Sequence, residues 1–234
     1  MISSPLWDKF THIIALDTET SGLDPKNDRI IELAAISVDE QGIQTKLNTY
    51  IQLPVALPLS QKTIELTGIT RDFLQREGVT EQEAAASFVA MIQKMNRVLF
   101  IAHNAQFDLC FLQEFLKRNG HSLPEGWGII DTLTVFRDRK SYPNKLSDAI
   151  KYYELQNVQN THSALTDAYA VHAVFNAMQQ EQNNLHEYLN LIGVYTEYEL
   201  FGWEISGLEY WGQTIDDEIY HTLPEIRKRC LEKE

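Results

Sequence analysis

Cysteine is nearly absent from this chain of 234 residues, with Cys110 and Cys230 the only two. Two isolated thiols make no disulfide framework and have no zinc-ligand spacing, so a reducing, cytoplasmic setting is the expectation. Long apolar runs are lacking too. No stretch approaches the roughly 20 apolar residues that cross a bilayer, and no segment reads as a secretory signal, so no membrane partner is expected. Positive charge is scarce: 20 Lys+Arg stand against 33 Asp+Glu, a net of −13. That deficit argues against tight, non-specific coating of long DNA. Internal repeats and low-complexity segments are missing as well.

The acidity is unevenly spread. Residues 181–234 hold 12 Asp+Glu and 4 Lys+Arg, a net of −8, which leaves −5 for residues 1–180. Four of the acids in the first part belong to the motifs described below, so a nucleic-acid partner remains open there. The tail also carries Tyr188, Tyr195, Tyr198, Phe201, Trp203, Tyr210, Trp211 and Tyr220. The change of texture places a boundary near Gln180. It divides the chain into a domain over 1–180 and an acidic, aromatic-rich C-terminal extension over 181–234. Large aromatics with unpaired acids suit packing on the domain, on a second copy, or on a basic protein partner.

Within the first part, Ile13–Leu16 is a short apolar run ending at Asp17, and 30–38 (IIELAAISV) reads as a second strand. Asp39–Gly42 is a turn, after which Ile43, Thr45, Leu47, Thr49 and Ile51 alternate along a third strand. Thr80 and Glu83 form a capping-box signature ahead of Ala85, Phe88, Ile92 and Met95 at helical spacing. Residues 98–102 (VLFIA) and 129–131 are further strands. Helices follow from about Gln106 to Gly120, around Leu146–Tyr153, and around Asp167–Met178. Strands first, then strands alternating with helices, give an α/β or α+β layer fold.

Three motifs carry the chemistry. In DTETSG (17–22), residues two apart on a strand share a side, so Asp17 and Glu19 present two carboxylates to one place. HNAQFD (103–108) follows an apolar strand and opens a helix, placing Asp108 in its first turn. HSALTD (162–167) spans five residues, roughly 500° of helix, so His162 and Asp167 serve one site only if His162 lies on the entering loop. Each motif alone has a plainer reading: solvated acids at a strand end, a dipole-stabilised acid, a capping histidine. Together they gather four carboxylates, which repel unless cations neutralise them. Oxygen ligands favour hard ions such as magnesium or manganese. Two ions about 3.5–4 Å apart clamp both oxygens of a phosphoryl displacement, and an imidazole takes the proton of the attacking water.

Over roughly residues 10–180 these motifs resemble the DEDDh exonucleases of the RNase H-like superfamily, the group that includes bacterial proofreading subunits. LTGIT (66–70) and the DT pair at 131–132 match secondary features of the same family. The resemblance implies a central mixed five-stranded sheet flanked by helices and a 3′→5′ exonuclease. Two divalent cations, Mg2+ or Mn2+, would lie on Asp17, Glu19, Asp108 and Asp167, with His162 as general base. It places Thr20, Gly22, Leu23, His103, Asn104 and Phe107 at the substrate. Core packing of Phe107 and turn satisfaction by His103 remain equally open. The implied partner is single-stranded or 3′-terminal nucleic acid, DNA favoured over RNA. Arg137, Arg139, Lys140 and Lys145 are basic residues near the third motif able to hold phosphates. The alternatives are an exoribonuclease with the same residues and a non-catalytic nucleic-acid-processing scaffold.

Overall fold

An uninterrupted apolar run such as Ile13–Leu16 needs cover on both faces. In the computed structural model, which describes residues 5–42, 44–140, 142–194 and 204–213, the run finds that cover as the middle strand of a five-stranded sheet. In chain order the elements are α1 (Pro5–Lys9), β1 (His12–Thr20), β2 (Ile30–Val38), β3 (Gln44–Tyr50), α2 (Gln61–Thr67), α3 (Arg71–Glu77) and α4 (Glu81–Ile92). Then come β4 (Val98–Ala102), α5 (Ala105–Arg118), β5 (Gly128–Asp131), α6 (Thr132–Arg139), α7 (Leu146–Tyr152), α8 (Ala164–Glu181), β6 (Leu191–Val194) and β7 (Glu209–Gly212).

The strand order is β3-β2-β1-β4-β5. β1, β2 and β3 form an antiparallel meander, and β4 and β5 add in parallel on the other side of β1. The sheet is therefore mixed and flanked by helices, as expected. Alternation along β1 sorts the core into two layers. Ile13 and Ala15 meet the side built by α6, α7 and α8, and Ile14 and Leu16 meet the side built by α4 and α5.

Local chemistry sets the element ends. The Thr80 side chain accepts from Glu83 N, and Glu83 Oε2 accepts from Thr80 N at 2.9 Å, closing the expected capping box of α4. α5 ends just before Gly120, whose φ of 75° suits a residue without Cβ. The third strand stops at Tyr50, Ile51 making a single bridge to Val79, while Ile43 lies outside the described residues. The sequence pattern gave no sign of α2 and α3. Each has seven residues, too short to display a 3.6-residue period, and α2 buries none of them.

The described part of the extension packs against the sheet. Asn190 N donates to Ile129 O at 2.8 Å, and Ile129 N donates to Asn190 Oδ1 at 3.1 Å. Leu185, Tyr188, Leu191 and Trp211 join one core layer; Ile192, Val194 and Ile205 join the other. β6 and β7 pair in parallel. Tyr195, Tyr198, Phe201, Trp203 and Tyr220 lie outside the described residues. Among the described residues, no helix is long and apolar enough to cross a membrane.

Candidate active site

The C-terminal end of β1 is where the two helical layers meet. Asp17 and Glu19 share the face of Ala15, turned toward α8. Asp167 lies in the first turn of α8, and His162 on the loop before it. The ligand atoms of Glu19, His162 and Asp167 all lie within 4.8 Å of one another. Asp108 comes from the first turn of α5, in the opposite layer, and is held by the Thr18 hydroxyl, which donates to its Oδ1 at 2.7 Å. Asp17 and Asp108 stand outside the tight trio, yet all five residues line one open cavity of about 410 Å3.

Buried and half-buried hydrogen bonds fix the two loops that deliver these groups. His162 has φ 55°, a conformation few residues other than glycine adopt. It is bracketed by Thr161 N, which donates to Asp167 Oδ1 at 2.9 Å, and by Ala164 N, which donates to Glu32 Oε2 at 3.1 Å. Asn104, at φ 75°, makes no side-chain cap for α5. Asp131 supplies the cap from β5: its Oδ1 accepts from Asn104 N at 2.9 Å and Ala105 N at 3.1 Å. The same carboxylate caps α6 through Leu133 N and Thr134 N. Burial lowers the pKa of His103. A neutral ring protonated on Nε2 donates to Asn144 O at 3.1 Å and meets the Thr132 hydroxyl at Nδ1, 3.0 Å away.

The acids pay heavily in electrostatic terms for sharing this space. Burial first, and then Asp108, Asp167 and the two glutamates, raise Asp17 well above the usual carboxylate range. Glu19 is pushed up to about 8 by burial and then by Asp167, Glu32 and Asp108. Asp108 rises to about 7, burial outweighing the Thr18 hydrogen bonds. Asp167 is raised by burial against the pull of Thr161 and His162. Carboxylates this reluctant to ionise are what a divalent cation reverses, so the donor set fits hard metal ions.

The remaining sequence candidates divide. His103, Asn104 and Phe107 line the cavity; Phe107 also packs into the core, 4.8 Å between ring centroids from Phe111. Leu23 is 72% exposed and lies outside the cavity lining. Thr20 and Gly22 build the turn before it: Thr20 Oγ1 donates to Gly22 O at 2.6 Å, and a Cβ on Gly22 would lie 2.3 Å from the Asp28 carboxylate. Arg139 and Lys140 are engaged with Glu181 at 3.1 and 2.7 Å, whereas Arg137 and Lys145 reach the cavity wall.

Sequence reasoning missed Glu32, Asn160 and Asn144. Glu32 faces Glu19 directly across β1 and β2 and is 1% exposed. Its signal was a lone charge inside an otherwise almost wholly apolar nine-residue strand. Asn160, whose side-chain amide donates to Asp167 Oδ2, and Asn144 gave none.

Residues 14–175 match the family described as Exonuclease (RNase T). The chain is 30% identical over 180 residues to the chloroplastic/mitochondrial Exonuclease DPD1 of Arabidopsis thaliana, covering 71% of this chain and 56% of that protein. It is 32% identical over 174 residues to the PolC-type DNA polymerase III of Staphylococcus aureus, covering 74% of this chain and 12% of the polymerase. It therefore spans just over half the length of the first and a small part of the second. The fold is similar to that of E. coli Exonuclease I in complex with a dA16 oligonucleotide, with a TM-score of 0.69, 21% identity, and coverage of 76% of this chain and 42% of that one. With the motifs, the mixed sheet and the matched span in agreement, this chain belongs to the Exonuclease (RNase T) family, on the RNase H-like fold.

Proposed function

We propose that this chain is a metal-dependent 3′→5′ exonuclease that releases nucleoside monophosphates from DNA 3′ ends. The observation that carries the reading is the meeting of Glu19, His162 and Asp167 within 4.8 Å, in a cavity that Asp17 and Asp108 also line. Asp17, Glu19, Asp108 and Asp167 would hold two divalent cations, Mg2+ or Mn2+. Bound there, such cations supply the positive charge that polarises the scissile phosphate and acidifies water. His162, exposed at the cavity mouth, takes the proton of the attacking water on its imidazole. Phe107 in the wall and Leu23 beyond it offer apolar surface to the terminal nucleotide, and Thr20, Gly22, His103 and Asn104 shape the turns that present them.

The DNA preference is supported by the relatives, which include a DNA polymerase and an exonuclease crystallised with a deoxyoligonucleotide. The test uses matched single-stranded DNA and RNA labelled at the 5′ end. Metal-dependent shortening of the DNA in a ladder from its 3′ end, abolished by chelation, is expected. Early release of the labelled 5′ mononucleotide, or cutting of a closed circle, would overturn the polarity. Faster loss of the RNA would reassign the substrate, since the 2′-hydroxyl is the difference.

A further inference from the structure

A second cavity, of about 180 Å3, opens beside the acidic one. Gly193 and Val194 of β6 form one wall, and Phe107, Leu133 and Arg137 line both cavities. The matched family span ends at residue 175, so this wall comes from the extension. We propose that the second cavity is a subsite for a backbone phosphate of the bound strand, next to the scissile one, with Arg137 as its cation. The proposal rests on the exonuclease reading and adds to it a role for the extension.

Two observations lead to a phosphate. Among the described residues, Arg137 is the basic side chain on its lining. A guanidinium fork matches a phosphodiester better than any other side chain does. The remaining described lining is apolar or neutral, in contrast to the carboxylates next door.

The wall is also hydrogen-bonded to the turn that opens α5. Gly193 N donates to Thr134 Oγ1 at 2.6 Å, Thr134 Oγ1 donates to Asp131 Oδ2 at 2.7 Å, and Asp131 Oδ1 holds Asn104 N and Ala105 N. A buried chain of hydrogen bonds thus runs from β6 to the start of the helix that carries Asp108. Gln213, beside β7, closes it from behind. Its Nε2 donates to Thr134 O at 2.9 Å, and a Cβ on Gly193 would lie 2.1 Å from its Oε1. Arg137 Nη1 donates to Gly193 O at 3.4 Å, which sets the guanidinium against this wall. A phosphate seated there would be positioned relative to the carboxylates by fixed structure, not by a loose surface arginine.

The experiment compares the full chain with its Arg137→Ala, Arg137→Gln and Arg137→Lys variants. The substrates are the p-nitrophenyl ester of thymidine 5′-monophosphate, which has one phosphate, and a short single-stranded DNA. Arg137→Ala should raise KM for the DNA about tenfold more than for the ester, as loss of a positioning phosphate contact predicts. Oligonucleotide binding, read without turnover in Ca2+, should lose about 0.7 from its log–log salt slope, the share of one single-strand phosphate. Arg137→Lys should keep the slope and recover only part of the KM. Equal KM increases on both substrates with an unchanged slope would overturn the proposal. Inhibition of ester hydrolysis by inorganic phosphate that Arg137→Ala relieves would also overturn it, by assigning the cavity to a free anion. Should the alanine variant fail to fold, the glutamine and lysine variants decide by the same two readings. Absence of hydrolysis by the unmodified chain would instead remove the exonuclease reading, and the salt slope would still test the subsite.

Discussion

Asp17 is electrostatically unfavourable at the place where the proposed function needs it. Its carboxylate sits among four others, Glu19, Glu32, Asp108 and Asp167, and each raises the energy of its charged form. Asp17→Asn should therefore abolish metal-dependent hydrolysis while raising the melting temperature of the metal-free chain by about 2–4 °C, the effect of roughly 1 kcal/mol at this size. Calorimetry beside a nuclease assay checks both signs at once. His162 belongs to a different category, being exposed and joined to the trio through a loop. His162→Ala should slow hydrolysis by about 10²–10⁴-fold with the half-saturating metal concentration little changed. A parallel loss of metal affinity would make it a ligand instead of a base. Glu32 was marked in the sequence only as a lone charge in an apolar strand; its partner, Ala164 N, is 132 residues away, and no local pattern registers such a bond.

At the scale of elements, Asp131 connects more of the site than any acid that touches the cavity. Through one carboxylate it caps both α5 and α6 at the end of β5. Asp131→Ala leaves the N–H groups of Asn104, Ala105, Leu133 and Thr134 without their acceptor, each worth about 1–3 kcal/mol, so the melting temperature should fall by at least about 8 °C. Retention of wild-type stability, measured by thermal unfolding, would contradict this accounting of the caps. In the sequence Asp131 stood out only as half of a family dipeptide, because the turn it caps lies 26 and 27 residues upstream. The long elements were legible for the opposite reason. The apolar runs of β1, β2 and β4, and the periodic faces of α4, α5 and α8, state their burial locally. Short α2 and α3, and β6 inside an acidic stretch, state nothing locally and take their structure from what they pack against.

For the whole molecule, the raised carboxylates link stability to pH and to metal. In the folded, metal-free chain Glu19 and Asp108 keep their protons up to about 8 and about 7, while the unfolded chain loses its own in the ordinary carboxylate range. The unfolded state thus binds fewer protons between those limits, and stability, greatest at acid pH, declines as pH rises through the folded values. Divalent metal should reverse the trend, raising the melting temperature more at pH 8 than at pH 5, with protons released on binding. A metal-induced shift that is equal at both pH values would argue against the convergence of these acids. Ending the chain at Gln180 would strip Leu185, Tyr188, Leu191, Ile192 and Val194 from the core. Such a fragment should be insoluble or bind hydrophobic dyes, and a soluble, cleaving fragment would show that the extension is an accessory. The site is assembled from residues 17–19, 108 and 162–167, with a wall at 193–194. During synthesis at about 5–20 residues per second, these parts leave the ribosome in that order, His162, Asp167 and the wall after the rest. A growing chain that has not yet reached residue 167 therefore holds only part of the proposed centre, and the hydrolysis proposed for it must await the third motif.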